Sequence, residues 1–167
     1  MQTPSNVEST LRQLASSGAT LNCYVYDTAA MSEKITALAA MMPVGVEIFY
    51  AMKANPHGEF LRAALEGGAR GIEIASLGEA EKAVAAGFSP DQLIYTGPGK
   101  SQEELSWAVK NSIRTVHIES LTEAHRLNAI AVTHGKTQDV LLRINADFDI
   151  HEAQTTFSGG SKKFGVD

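Results

Sequence analysis

Lys53, Glu73, His117, Glu119 and Arg143 are the residues whose types and spacing point most directly to chemistry. Each stands toward the C-terminal end of a short apolar run: VEIFYAMK from Val46, GIEIAS from Gly71, TVHIES from Thr115 and QDVLLRIN from Gln138. If these runs are strands, their side chains alternate between two faces. Ile48, Tyr50 and Met52 then share one face, and Phe49, Ala51 and Lys53 the other. Ile72 and Ile74 oppose Glu73; Val116 and Ile118 oppose His117 and Glu119; Val140, Leu142 and Ile144 oppose Leu141, Arg143 and Asn145. One face is wholly apolar and suits a cover of helices. The other gathers charge at the strand ends where parallel α/β folds bind ligands.

A buried charge without a partner costs several kcal/mol or more, so such a face requires ion pairs or a ligand. Lys53 offers the sharper chemistry. In a partly dry site its ammonium is destabilised, and the free amine becomes a nucleophile able to form a Schiff base. Ala51, two residues earlier, leaves room for a flat ring, and Asn55-Pro56 ends the strand abruptly. The same residue types also suit a polar layer whose charges neutralise one another, and taken alone they leave both readings open.

The elements that would position these side chains form a repeat. Strand-like runs start near Val46, Gly71, Gln92, Thr115 and Gln138, at intervals of 25, 21, 23 and 23 residues. Between them lie stripes at helical spacing: Phe60, Leu61, Ala64 and Leu65; Leu77, Ala80 and Val84; Leu105, Ala108 and Val109; Leu121, Ala124, Leu127 and Ile130. Three of these helices open with Ser-x-x-Glu, at Ser76/Glu79, Ser101/Glu104 and Ser120/Glu123. In a capping box the Ser oxygen accepts an orphan N–H and the Glu reaches back to the cap N–H. The stops fall at Gly67-Gly68, Gly87, Asn111 and Gly135, residue types that tolerate a left-handed turn. Short connections between parallel strands need a crossover helix, so the fold class is α/β. Upstream, the pattern predicts a weak helix over 5–15 and a short strand over 23–27. A helix with Met31, Ile35, Leu38, Ala39 and Met42 on one stripe follows, stopped by Pro43. No periodicity is visible from Asp147 onward.

A doubly wound sheet and a (β/α)8 barrel both fit five βα units. A barrel typically needs about 250 residues, with 200 near the lower limit. At 167 residues the chain would hold only part of one.

Composition narrows the function classes. Hydrophobic residues make up 44% and charged residues 20%, which excludes wholesale disorder. A net charge of −5 without a basic run argues against nucleic acid as the main partner. No apolar stretch approaches the roughly 20 residues of a membrane span, and the N-terminus has no secretory pattern, so the expected compartment is the cytoplasm. The one cysteine, Cys23, forms no intrachain disulfide, and no Cys/His cluster suggests a metal.

Tyr50-Ala51-Met52-Lys53-Ala54-Asn55 resembles the Tyr-Ala-x-Lys-Ala-Asn segment of the fold-type III pyridoxal-phosphate decarboxylases, the diaminopimelate and ornithine decarboxylase superfamily. Further segments match in the same order: Tyr24-Val25-Tyr26-Asp27, Gly71-Ile72-Glu73-Ile74-Ala75-Ser76 with Gly78-Glu79, Leu142-Arg143-Ile144-Asn145, and Ser161-Lys162-Lys163-Phe164-Gly165. Gly97-Pro98-Gly99-Lys100, Glu119-Ser120-Leu121 and the Ser-Gly-Gly-Ser-Lys-Lys-Phe-Gly ending look like a branch serving siderophore, antibiotic or exopolysaccharide pathways.

The resemblance implies an alanine racemase-type (β/α)8 barrel, a C-terminal β domain, a homodimer and a small amino-acid substrate. Residues 1–27 would be an N-terminal segment with one strand, and 28–167 a partial barrel that binds pyridoxal 5'-phosphate. The C-terminal domain, the ring-stacking His, the phosphate loop and the acidic partner of the pyridine nitrogen would follow residue 167. Carried over by position, Lys53 is the Schiff-base lysine and Ala51 lines the cofactor. Glu73 lies close to the lysine, Arg143 near the pyridoxal ring, and Ser76 near the site. Ser158-Gly159-Gly160 reads as a polar glycine turn rather than the phosphate loop, Cys23 as a packed small residue, and His57 as a loop residue. The implied reaction is decarboxylation. Racemases of this kind share Lys-Ala-Asn but usually continue Tyr-Gly-His-Gly, where this chain has Pro56-His57-Gly58. A racemase, a single-barrel cofactor-binding protein, a silent homologue that binds a partner, and a natural short protein of five βα units remain the alternatives. The segment 1–167 alone is expected to be inactive.

Overall fold

The computed structural model describes residues 5–18, 22–145 and 165–166. Helix α1 spans Ser5–Ser16 and α2 spans Thr28–Met41. The βα repeat follows: β1 (Phe49–Ala51), α3 (Gly58–Glu66), β2 (Gly71–Ile74), α4 (Leu77–Ala85), β3 (Leu93–Tyr95), α5 (Gln102–Asn111), β4 (Thr115–Ile118), α6 (Leu121–Thr133) and β5 (Val140–Leu142). The five strands pair in sequence order, and every ladder is parallel. This is the arrangement the 21–25-residue spacing predicts.

The register puts Ala51 beside Glu73, and Glu73 beside Ile94. His117 pairs with Leu141. These side chains share the inner face. The outer face is the core: Ile72, Leu93, Tyr95 and Val116 are completely buried, packed with Leu61, Ala80, Leu105 and Leu127 from the helices. Gly71 is required where it stands. A Cβ there would lie 1.9 Å from the Gln92 carbonyl oxygen and 2.6 Å from the Phe49 ring, so any side chain would force β1 and β3 away. At the N-terminal end of the sheet, Glu47 accepts from Arg70 at 3.1 Å and from Arg114 at 2.6 Å, tying three loops together.

The serine caps form at all three positions. Ser76, Ser101 and Ser120 accept from the backbone N–H of Glu79, Glu104 and Glu123 at 3.2, 3.2 and 3.1 Å. The reciprocal arm differs from expectation. Only Glu104 returns to its own cap, accepting from Ser101 N–H at 2.8 Å. Glu79 and Glu123 reach one residue further, to Ala75 N–H and Glu119 N–H, at 2.6 and 2.8 Å. Their carboxylates therefore close the strand end as well as the helix start.

Three further expectations are corrected. Residues 22–27 join no ladder among the described residues. Tyr24 is 88% exposed, and Tyr26 instead meets the Phe60 ring edge-on, with centroids 5.1 Å apart. A strand needs a partner for its backbone, and Asp27 turns the chain into α2 by accepting from Ala30 N–H at 2.9 Å. Cys23 is exposed rather than packed. The stop of α5 is Ser112, with φ +53°, not Asn111, whose side chain instead bonds back to the Trp107 carbonyl. Among the described residues, no helix is long and apolar enough to cross a membrane.

Candidate active site

Strand β1 ends at Ala51, earlier than the alternation of its sequence suggests, and Met52–Ala54 turn into a short 3-10 helix. The turn keeps the alternation in effect. Met52 is fully buried on the helix side, while Lys53 projects from the inner side. Its Nζ lies 4.0 Å from Glu73 Oε1. The Lys53 side chain is 78% exposed, so the described residues do not supply the dry surroundings expected for it. The strand ends at its last ladder position, Ala51, two residues before the lysine, and a carboxylate stands beside the amine. Tyr50, on the opposite side, anchors the turn by donating from its hydroxyl to the Asn55 carbonyl at 3.2 Å. His57 caps α3 through Nδ1, which accepts from Glu59 N–H.

Glu73 is fixed from β3. Thr96 Oγ1 lies 3.3 Å from Glu73 Oε1 and 3.3 Å from the Ile74 carbonyl oxygen. Thr96 is a residue that the sequence did not single out. The available signal was its position two residues after inward-facing Ile94. Ser76 lies at the head of α4, where its oxygen is engaged with Glu79 N–H. It stands at the rim next to Ala75 and Glu73, in a capping role.

A second group of polar residues lies at the ends of β4 and β5. Arg143 Nη1 is 3.2 Å from Glu119 Oε1, with side-chain exposures of 36% and 3%. His117 stands between the two groups. Burial lowers its pKa below the ordinary 6.5, with Lys100 and Arg143 acting the same way and Glu73 and Glu119 opposing them. Its ring is therefore neutral at pH 7, and Nε2 is buried without a hydrogen-bond partner among the described residues. Lys100, which the sequence offered only as part of a loop motif, proves to be buried, with 2% of its side chain exposed, and ion-paired to Glu123. A preceding loop of two glycines with positive φ, Gly97 and Gly99, brings it inward.

The structure thus brings Lys53, Ala51 and Glu73 together at one end of the sheet and Arg143 with Glu119 at the other, bridged by Thr96 and His117. Ser158-Gly159-Gly160 and residues 161–164 lie outside the described residues. No group of His, Cys, Asp or Glu suited to a metal occurs among the described residues.

This donor set fits an aromatic aldehyde cofactor carrying negative charge. An accessible primary amine stands at a strand end, a methyl side chain beside it leaves space for a ring, and a guanidinium and a neutral imidazole occupy the same inner face.

Comparisons with known proteins agree with this chemistry. A decarboxylase of Staphylococcus aureus acting on 2-[(L-alanin-3-ylcarbamoyl)methyl]-2-hydroxybutanedioate is 34% identical over 161 residues, covering 96% of this chain and 40% of that protein. Diaminopimelate decarboxylase of Aquifex aeolicus is 37% identical over 145 residues, covering 86% and 34%. The crystal structure of Helicobacter pylori diaminopimelate decarboxylase complexed with L-lysine superposes with a TM-score of 0.83 at 26% identity, covering 93% of this chain and 40% of that one. The chain therefore spans 34–40% of the length of these relatives. The five parallel βα units are the N-terminal portion of their barrel. Residues 28–167 match the pyridoxal binding domain of the pyridoxal-dependent decarboxylases, and the chain belongs to that family.

Proposed function

We propose that the complete protein is a pyridoxal phosphate-dependent amino-acid decarboxylase in which Lys53 holds the cofactor through a Schiff base. The observation that carries this reading is the Lys53 amine on the inner face, 4.0 Å from Glu73. When bound, the cofactor supplies an electron sink for the pair left by a departing carboxylate. The residues of this chain would supply the lysine end of the site. The Glu73 carboxylate, steadied by Thr96, stands 4.0 Å from the Lys53 amine and would favour a cation at this end of the ring site. Arg143, paired to Glu119, would present a cation to the cofactor from the β5 end of the inner face. Neutral His117 fills the floor without adding charge. Lys53 Nζ would be the group here able to hold a proton and deliver it to the substrate carbon. Ser76 holds the rim between them through its cap.

The substrate class is an amino acid whose side chain ends in polar or charged groups: diaminopimelate, ornithine, or a siderophore-type acid. The Staphylococcus relative, matched over 96% of this chain, supports the last, which would place the protein in specialised metabolism. The complete protein would act as a cytoplasmic homodimer. Pro56-His57-Gly58 after the lysine favours decarboxylation over racemisation.

The test is borohydride reduction of the complete, cofactor-loaded protein followed by peptide mapping. The pyridoxyl group should sit on Lys53, and Lys53→Ala should lose carbon dioxide release from a panel of diamino and dicarboxylic amino acids. Labelling at Lys100 or Lys163 would remove the reading.

A further inference from the structure

The charges at the ends of β4 and β5 form one connected chain of hydrogen bonds. Lys100 Nζ donates to the Gly97 and His117 carbonyls at 2.7 and 2.6 Å and to Glu123 Oε1 at 3.1 Å. It also lies 5.8 Å from the centre of the Tyr95 ring. Glu123 spends its other oxygen on Glu119 N–H at 2.8 Å. The backbone of Glu119 is thus pinned by a buried ion pair, and the direction of its side chain is set with it. Both Glu119 oxygens are then used: Oε1 accepts from Arg143 Nη1 at 3.2 Å and Oε2 from Gly165 N–H at 3.0 Å. Gly165 is itself locked beside Arg143. Val166 N–H donates to the Arg143 carbonyl at 2.9 Å, and Asn145 N–H donates to the Val166 carbonyl at 2.7 Å.

A carboxylate only 3% exposed, with an oxygen on each of two elements, does more than satisfy a stray charge. Arginine and lysine side chains carry large rotamer freedom, and a guanidinium at a strand end sweeps a wide arc unless something holds it. Glu119 supplies a buried anchor for it, and the Lys100–Glu123 pair keeps that anchor still. We infer that Glu119 is a positioning residue for Arg143, fixing the guanidinium toward the cofactor's side of the sheet through the Lys100–Glu123–Glu119 relay. This rests on the reading that Arg143 faces the cofactor.

The experiment is a double-mutant cycle in the complete protein, made from wild type, Glu119→Gln, Arg143→Gln and the double variant. The readouts are the apparent Kd for pyridoxal phosphate by spectrophotometric titration and the absorption maximum of the bound cofactor. Glutamine keeps the size of the side chain but provides one acceptor oxygen where two are used. Glu119→Gln should weaken cofactor binding roughly tenfold and move the maximum, yet change the Kd less than about twofold once Arg143 is already Gln. Equal penalties in both backgrounds would overturn the relay and leave the role of Arg143 standing. An unchanged Kd in Arg143→Gln alone would overturn both. Should Glu119→Gln fold poorly, Glu123→Gln, one link upstream, gives the same cycle: loss of coupling to Arg143 supports the inference, and additivity overturns it.

Discussion

The two polar groups on the inner face are built on opposite plans. Lys53 and Glu73 stand at the β1 edge, with one weak contact between them and 78% and 34% of their side chains exposed. Lys100, Glu123 and Glu119, between β3 and β5, are almost completely buried, and each is hydrogen-bonded at more than one atom. The edge strands show the same contrast on the outer face. Leu93 and Val116 are wholly buried, whereas Val140 and Leu142 of β5 are 51% and 55% exposed. The structure teaches a division of labour. The lysine that would meet a cofactor stands exposed among the described residues with one long contact, and the lysine that resembles it in type is spent on holding the frame. Exposure leaves an amine open to a ligand, and burial keeps one in place.

The largest expected effect is on that contrast itself. Lys100→Met removes three donated bonds and leaves Glu123 buried and uncompensated. Breaking a buried pair from one side costs about 3–5 kcal/mol. Lys53→Met, at an exposed position, should change stability by less than ~0.5 kcal/mol. Urea unfolding of the two variants beside wild type reads both. Similar losses would mean that the two lysines do not differ as their burial indicates.

A smaller effect of the same kind separates centre from edge in the apolar layer. Leu93→Ala empties a fully buried site and should cost about 2–5 kcal/mol. Leu142→Ala, half-exposed, should cost under ~1 kcal/mol in the described segment. If Leu142 proves as costly as Leu93, the outer face of β5 is covered more completely than the described residues show, and the comparison sharpens into a map of what packs there.

Much of this was legible in the sequence, and the reasons are local. The strand period, the serine caps and the apolar outer face follow from alternation and from the first-turn chemistry of helices, which act over a few residues. The inner-face placement of Glu73, His117, Glu119 and Arg143 follows from the same alternation. What escaped depends on three-dimensional neighbours. The burial of Lys100 requires the Gly97–Gly99 loop to fold under α6, and nothing in the local pattern marks it. Glu123 looks like an ordinary capping-box residue, yet its carboxylate bypasses its own cap for Glu119 N–H, because that N–H is the first unpaired donor beyond the strand. The strand expected over 23–27 failed because alternation predicts a face, whereas a ladder needs a neighbouring backbone. The exposure of Lys53 among the described residues has a related cause: the strand stops at Ala51, Met52 turns into the core, and Lys53 leaves the sheet.

The smallest effect concerns His117, which joins the two groups. Burial lowers its pKa, Lys100 and Arg143 add to that, and Glu73 and Glu119 pull the other way. The folded protein therefore binds a proton at His117 less readily than the unfolded chain does. The sign follows from linkage: where the unfolded state binds more protons, stability rises with pH. The contribution of His117 is complete above the unfolded value near 6.5 and is lost as pH falls toward the lowered folded value. His117→Asn keeps a polar side chain but cannot titrate. Unfolding midpoints measured from pH 7.5 down to about 5 should fall for wild type below pH 6.5 and fall less steeply for the variant in the same window. All other titratable groups are common to both proteins, so the difference between the two profiles reports His117. If wild type and His117→Asn keep parallel profiles between pH 6.5 and 5, the imidazole is not buried neutral between the two charged groups, and their connection through β4 lies elsewhere.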